Sequence, residues 1–79
     1  MTNTERFRAE LITAYTDLFA NDAEYAYSAA RCTPESLADK MLPGLVTGGA
    51  NKDGAGIKRA CKAVGIAHTY KAIRAFLSA

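Results

Sequence analysis

The sequence predicts an all-α fold: a compact bundle of four to five short helices in a single helical domain covering residues 1–79. Capping residues recur along the chain at Thr2, Asn21, Thr33 and Asp53, each followed by apolar residues at helical spacing. Valine and isoleucine are few and never alternate with polar residues, which leaves no strand pattern. A chain of this length has no room for a second core.

The first helix is predicted over residues 3–20. Thr2 and Glu5 form a capping box, in which each side chain satisfies a backbone N–H at the start of the helix. Its apolar stripe consists of Phe7, Leu11, Ile12, Tyr15, Leu18 and Phe19.

A short second helix is predicted over residues 22–31, where Asn21 and Glu24 make a weaker capping pattern. Tyr25 and Tyr27 lie two residues apart, so both cannot face the core. Either one of them is exposed at an interface, where tyrosine is favoured, or it lies in a boundary layer and hydrogen-bonds locally.

The third helix begins at residues 33–35, Thr-Pro-Glu, which combine a capping hydroxyl, a proline preset for the first turn and an acid favoured by the helix dipole. Its apolar residues are Leu37, Met41 and Leu45. Pro43 falls inside it and removes one backbone hydrogen bond, so we expect the helix to kink or end there. The glycines at 48 and 49 close the element.

Two helices complete the chain. Asp53 is the predicted cap of helix four, and Gly65 ends that helix in a position that tolerates a left-handed backbone. Thr69 then opens helix five. The apolar face of helix four consists of Ile57, Ala60, Cys61 and Val64, and that of helix five of Tyr70, Ile73, Phe76 and Leu77.

The predicted core takes residues from each long helix. Its members are Phe7, Leu11, Leu18, Leu37, Met41, Ile57, Val64, Ile73 and Phe76. Cys61 lies on an apolar helix face and is predicted to be core, whereas Cys32 precedes a helix cap and is expected to be a partly exposed thiol. A bridge between the two stays open, but a reduced chain is favoured.

The chain carries no catalytic pattern. Its one histidine, His68, precedes Thr69 and is interpreted as a turn residue or a cap, since the cysteines that would serve as nucleophiles sit in packing contexts. No phosphate loop follows a strand, and the glycines mark breaks between helices; these are Gly44, Gly48, Gly49, Gly54 and Gly56. Metal-ligand spacing is absent. We expect no enzyme activity, no cofactor and no metal.

The N-terminus is charged and lacks a continuous apolar run, and no stretch of about 20 apolar residues occurs. We therefore expect a soluble protein without membrane contact, located in the cytoplasm of the cell that makes it.

Charge divides the chain into two parts. Six bases and one acid give residues 51–79 a net charge of +5, whereas seven acids and four bases give residues 1–50 a net charge of −3. Such polarised surfaces usually meet a charged partner. The predicted partner-binding surface, here called the basic face, consists of Lys58, Arg59, Lys62, Lys71 and Arg74. The alternative is that these residues only solvate two surface helices.

A second candidate surface lies where helices one and two meet. Asp17, Asp22 and Glu24 cluster there, with Tyr25 beside them. This group, here called the acidic surface, is the place to seek a partner if the basic face is only solvated.

Helix four, its glycine turn and helix five resemble a helix-turn-helix. The matching core residues are Cys61, Val64, Gly65 and Ile66. In that family the second helix enters the major groove, which implies a DNA-reading role for Tyr70, Lys71 and Arg74. The sequence departs from the family at Lys71, six positions past the turn glycine, where an apolar residue is usual.

Residues 51–77, NKDGAGIKRACKAVGIAHTYKAIRAFL, together with residues 33–42, TPESLADKML, resemble small helical proteins encoded by bacteriophages and prophages. Proteins of that origin and size are commonly regulators or inhibitors of host machinery, and anti-CRISPR proteins are one prominent class. The resemblance implies a stoichiometric inhibitor that docks on a host protein or ribonucleoprotein complex. The alternative is a helix-turn-helix-like DNA-binding regulator that uses the basic C-terminal helices.

Overall fold

The computed structural model describes residues 1–79, and every regular element in it is helical. The elements are α1 (Asn3–Asn21), a 3-10 turn (Ala23–Tyr25), α2 (Ala26–Ala29), α3 (Pro34–Thr47), α4 (Ala55–Val64) and α5 (Tyr70–Ser78). Helix α1 is the central element, because α3, α4 and α5 all pack against it. The predicted all-α bundle is confirmed. None of the helices combines the length and apolar character needed to span a membrane.

Three of the predicted helix starts are confirmed in detail. Thr2, Thr33 and Thr69 are N-caps whose hydroxyl oxygens each accept a hydrogen bond from the backbone N–H three residues later. At Thr2 the capping box is complete, since the Glu5 carboxylate also accepts a hydrogen bond from the Thr2 N–H at 3.0 Å.

Two predicted caps are wrong. Asn21 is the last residue of α1, and Asp22 instead caps the 3-10 turn by accepting a backbone hydrogen bond there. Helix α4 begins after Gly54 with no side-chain cap, because Asp53 lies one residue too early and forms an ion pair with Lys52. The second helix is also shorter than the predicted 22–31, since only one α-helical turn follows the 3-10 turn.

Pro43 does not end α3, which continues to Thr47. Pro43 cannot donate a backbone hydrogen bond to the Asp39 carbonyl, and both residues lie on the exposed side of the helix, away from the core. The helix ends instead at Gly48, which has a left-handed φ of 86°. The predicted closure at this glycine is confirmed.

The core forms where α3, α4 and α5 meet α1. Its fully buried members are Phe7, Leu11, Tyr15, Leu18, Ala38, Leu45, Ile57, Ala60, Cys61 and Ile73. Five predicted core residues are among them, while Leu37, Met41, Val64 and Phe76 lie half-buried at its edge. Cys61 is buried and Cys32 partly exposed, as predicted, and the two thiols are free.

Helices α1 and α4 run antiparallel in close contact. Gly56 is buried beside Tyr15, and a Cβ atom at this glycine would overlap the tyrosine ring. Near the other end of α4, Ala63 lies beside Arg6 and Ala9 of α1. Gly56 is therefore a packing residue within a helix. The prediction that it marks a break is wrong, as is the same prediction for Gly44 inside α3.

Candidate interaction surface

Helix α4 exposes its basic residues because its apolar residues are held by the core. Ile57 and Cys61, one turn apart, are buried. Lys58 and Lys62, also one turn apart, lie on the solvent side of the same helix and are exposed. Neither lysine forms an ion pair in the protein.

Helix α5 adds two more cations. Lys71 and Arg74 are exposed and form no ion pair. The Arg74 guanidinium lies 5.8 Å from the centre of the Tyr70 ring, within the range of a cation–π interaction. The Tyr70 hydroxyl donates a hydrogen bond to the Ala50 carbonyl at 2.7 Å and accepts one from the Lys52 N–H at 3.3 Å. Tyr70 therefore fastens the loop before α4 to α5.

Arg59 differs from the other members of the basic face. Its guanidinium donates to the Asp17 carboxylate at 2.7 Å, linking α4 to α1. Two hydrogen bonds lower the pKa of Asp17 below its ordinary value. The one from Arg59 has the larger effect and the one from Asn21 the smaller. Because its charge is balanced by this carboxylate, Arg59 contributes little to the outward potential. The unpaired cations of the basic face are Lys58, Lys62, Lys71 and Arg74.

The acidic surface is largely occupied by internal contacts. Asp17 is paired with Arg59, and the Asp22 carboxylate caps the 3-10 turn. Only Glu24 has neither an ion pair nor a side-chain hydrogen bond. The ion pair between Arg59 and Asp17 thus joins the two candidate surfaces. The basic face keeps four unpaired cations, whereas only one carboxylate of the acidic surface lacks an internal contact.

Of the two neighbouring tyrosines, Tyr27 is the exposed one. The residue is 69% exposed. Tyr25 is half-buried, with its ring centre about as far from Tyr15 as from Phe19, 6.2 Å in each case. The sequence left open which of the two tyrosines is exposed, and the structure shows that Tyr25, beside the acidic surface, extends the aromatic edge of the core.

The side chain of His68, in the turn between α4 and α5, contacts Lys52 and Asp53 in the loop before α4. The His68 Nε2 atom is hydrogen-bonded to the Lys52 carbonyl and lies 3.9 Å from the Asp53 carboxylate. Lys52 donates to Asp53 at 2.7 Å, and this hydrogen bond raises the pKa of the lysine and lowers the pKa of the carboxyl group. No three His, Cys, Asp and Glu side chains converge as a set of metal ligands.

Sequence reasoning missed one surface, a cleft between α2 and α3. Tyr27, Arg31, Cys32 and Lys40 contribute to its walls, and its volume is about 360 Å³. The available signal was the spacing of Tyr27 and Arg31, four residues apart, which places them on one side of a helical turn.

The C-terminal helix pair differs in detail from a helix-turn-helix. The turn runs from Gly65, with a left-handed φ of 77°, to Thr69. It is longer than the turn of about three or four residues found in that motif.

The chain matches no protein-family model, no curated protein and no solved structure.

Proposed function

We propose that this protein is a non-enzymatic inhibitor of the phage type, which docks on a host nucleic-acid-processing complex. Anti-CRISPR activity is the specific form we propose. The observation that carries the proposal is the set of four unpaired cations on α4 and α5. The one acid of residues 51–79, Asp53, is paired with Lys52. The resemblance of residues 33–42 and 51–77 to phage-encoded helical proteins supports it.

The basic face suits recognition of an acidic surface. Its cations come in two pairs, each about one helical turn apart, on helices fixed to the same central helix. Ile57 on α4 and Ile73 on α5 are fully buried, which holds both helices in place. A rigid array of like charges accelerates encounter with an oppositely charged partner and sets its orientation. This is sufficient for an inhibitor that acts by occupying a surface.

The partner in this proposal is a host protein or ribonucleoprotein complex whose nucleic-acid path is blocked. A site that normally receives nucleic acid is itself basic, so a basic inhibitor requires an acidic rim or a bound nucleic acid nearby. The proposal therefore places the contact beside the nucleic-acid path, or on RNA exposed there.

The test compares two variants altered at the same two positions. Lys62→Glu with Lys71→Glu reverses one charge on each helix of the basic face and takes the net charge from +2 to −2. Lys62→Arg with Lys71→Arg is the matched control, because it keeps both positive charges and the net charge of +2. Arg59 is left intact, since reversing it would break the ion pair with Asp17.

The assay measures plaque formation by a phage that is targeted by the CRISPR system of its host, across a panel of CRISPR types. We expect the wild-type protein and the control to raise plaquing on at least one type, and the basic-face variant to lose most of that effect. Circular dichroism verifies that each variant folds. Inhibition that survives reversal of the basic face would contradict this use of the surface, and inhibition of no type would contradict the proposed activity.

A DNA-binding regulator is the second candidate. It is favoured by the position of Lys71 and Arg74 near the start of α5, whose first turn carries no acid. The engagement of the Tyr70 hydroxyl within the fold leaves only these two of the three expected groove-reading residues free. A gel shift at two salt concentrations tests it: removing one phosphate-binding cation should reduce the salt slope by about 0.9. Tight, sequence-specific duplex binding with no protein partner would favour this candidate over the inhibitor.

A further inference from the structure

The cleft between α2 and α3 has the features of a small binding site. Tyr27, Ser28 and Arg31 line it from the α2 side, and Leu37 and Lys40 from α3. No acidic residue contributes to its lining. Its surface therefore combines an aromatic ring, an apolar patch, a hydroxyl group and two cations.

Tyr27 and Arg31 are held together in a stacked pair. The Arg31 guanidinium carbon lies 3.5 Å from the centre of the Tyr27 ring. The same guanidinium donates a hydrogen bond to the Tyr27 carbonyl at 3.1 Å, which fixes its position on the ring. Tyr27 as a residue is 69% exposed although the guanidinium covers one face of its ring, so we infer that the opposite face is open to solvent. The stack is an exposed aromatic platform with a positive charge behind it.

The two cations of the cleft have no carboxylate partner. Neither Arg31 nor Lys40 forms an ion pair, although three other cations of the chain pair with aspartates. An anionic ligand would therefore meet both charges without competition from the protein's own acids. Charge complementarity requires a negatively charged ligand, and the open ring favours one with a flat face.

We propose that this cleft binds single-stranded nucleic acid. One base stacks on the open face of Tyr27, and the neighbouring phosphates lie against Arg31 and Lys40. Stacking of a base on an aromatic side chain combined with basic residues along the backbone is the usual basis of sequence-tolerant single-strand binding. Duplex DNA is excluded, because its bases are already stacked and cannot reach the ring.

This site is independent of the basic face. The residues of the cleft belong to α2, the turn that follows it and α3, whereas the unpaired cations of the basic face belong to α4 and α5. Binding at the cleft would allow the protein to hold displaced or guide strand while the basic face contacts a partner. The proposed binding of single-stranded nucleic acid at the cleft does not depend on whether the protein is an inhibitor of host machinery.

Fluorescence anisotropy with a labelled thymidine octamer measures the binding, and an abasic octamer serves as the matched probe with the same phosphates. We expect Tyr27→Ala to weaken octamer binding about tenfold, since one base loses the aromatic ring on which it stacks. Tyr27→Phe keeps the ring and should bind like the wild type. The abasic octamer should bind about as weakly as the normal octamer binds to Tyr27→Ala.

Cys32 provides a readout confined to the cleft. Its thiol lines the cleft and is partly exposed, whereas Cys61 is buried. Saturating octamer should therefore slow the alkylation of Cys32 by iodoacetamide. Peptide mass spectrometry measures the alkylation rate. The basic-face variant Lys62→Glu with Lys71→Glu should retain this protection. A wild-type protein that inhibits no CRISPR type but still shows protection of Cys32 would contradict the proposed function alone, and one that inhibits without protection of Cys32 would contradict this inference alone.

Three results would overturn the proposal. In the first, Tyr27→Ala binds the octamer as tightly as the wild type. In the second, the abasic octamer or an acidic peptide such as polyglutamate binds as well as the normal octamer, so that charge alone is recognised. In the third, the octamer binds but leaves the alkylation rate of Cys32 unchanged, which places the strand on another surface.

Discussion

Replacing Gly56 with alanine tests how closely α1 and α4 approach. In an unhindered helix this substitution stabilises a protein by up to about 1 kcal/mol, because alanine has the higher helix propensity. Here the new Cβ would overlap the Tyr15 ring. That ring is only 3% exposed and contacts Phe19 and Tyr25, so it has no free space into which to move. The structure therefore reverses the sign that propensity predicts.

The size of the effect follows from these opposing terms. Adding a methyl group to a well-packed site costs typically about 1–3 kcal/mol. Subtracting a propensity gain of about 1 kcal/mol leaves a net loss of up to about 2 kcal/mol in the free energy of unfolding. For a domain of this size, that loss lowers the melting temperature by up to about 16 °C. Urea and thermal denaturation followed by circular dichroism measure both quantities.

Gly49→Ala is the matched control. Gly49 lies in the loop after α3 without a positive φ, and a Cβ there meets only the Thr47 hydroxyl at an ordinary 3.5 Å. Its substitution should leave stability unchanged or raise it by up to about 1 kcal/mol. In the Gly56→Ala background, Tyr15→Leu should be less damaging than it is alone, because the two sites are in contact. A higher melting temperature for Gly56→Ala than for the wild type would refute the close approach.

Further outcomes are expected for stability and titration. Ile73→Ala should lower the free energy of unfolding by about 2–5 kcal/mol, since Ile73 is fully buried, whereas the exposed Val46→Ala should change it by less than about 0.5 kcal/mol. The pKa of Asp17 is lowered in the fold, so its contribution to stability is present above its ordinary pKa of 3.8 and lost as the pH falls through the lowered value. Asp17→Asn should therefore be less stable than the wild type at neutral pH and approach it in acid, as urea titrations across the pH range would measure. Burial, reinforced by Tyr25, raises the pKa of Tyr15. In an ultraviolet titration, Tyr15 should ionise only when the protein unfolds; its ionisation near the ordinary tyrosine pKa in the folded protein would contradict that burial.

Local signals predicted the fold well. The three threonine caps act within one helical turn, and the apolar residues of α1, α4 and α5 repeat at the spacing of a single helix face. Such patterns depend on neighbours in the sequence, so they can be recognised without knowing the tertiary structure. The buried positions of Phe7, Leu11 and Ile73 follow from them directly.

The errors arise where a residue has more than one possible local role, or where a contact with a residue distant in the sequence decides its role. Asp53 and Gly54 are both reasonable residues before a helix, and the ion pair with Lys52 draws the aspartate away from capping. Gly56 has the composition of a helix break, but its lack of a side chain is used for contact with Tyr15, forty-one positions away in the sequence. Tertiary packing decided this position, and no local pattern carried that information.

The candidate site was predicted only in part for the same reason. Helical spacing is enough to place Lys58 and Lys62 on the solvent side of α4. It does not indicate that Arg59 reaches Asp17, which is 42 residues away in the sequence. The exposure of Tyr27 rather than Tyr25 was also undetermined, because the 3-10 turn before α2 changes the direction in which each side chain points.

The ion pairs show that the charge polarity of the sequence is retained on the folded surface. Lys52 pairs with its neighbour Asp53, and Arg8 pairs with Asp39 within the first fifty residues, so neither pair changes the balance between the two parts of the chain. The pair between Arg59 and Asp17 crosses between them and cancels one charge from each. The balance falls only from +5 to +4 in residues 51–79 and from −3 to −2 in residues 1–50. Folding could have neutralised the basic segment against the acidic one, but it leaves four cations of α4 and α5 exposed and without an ion pair.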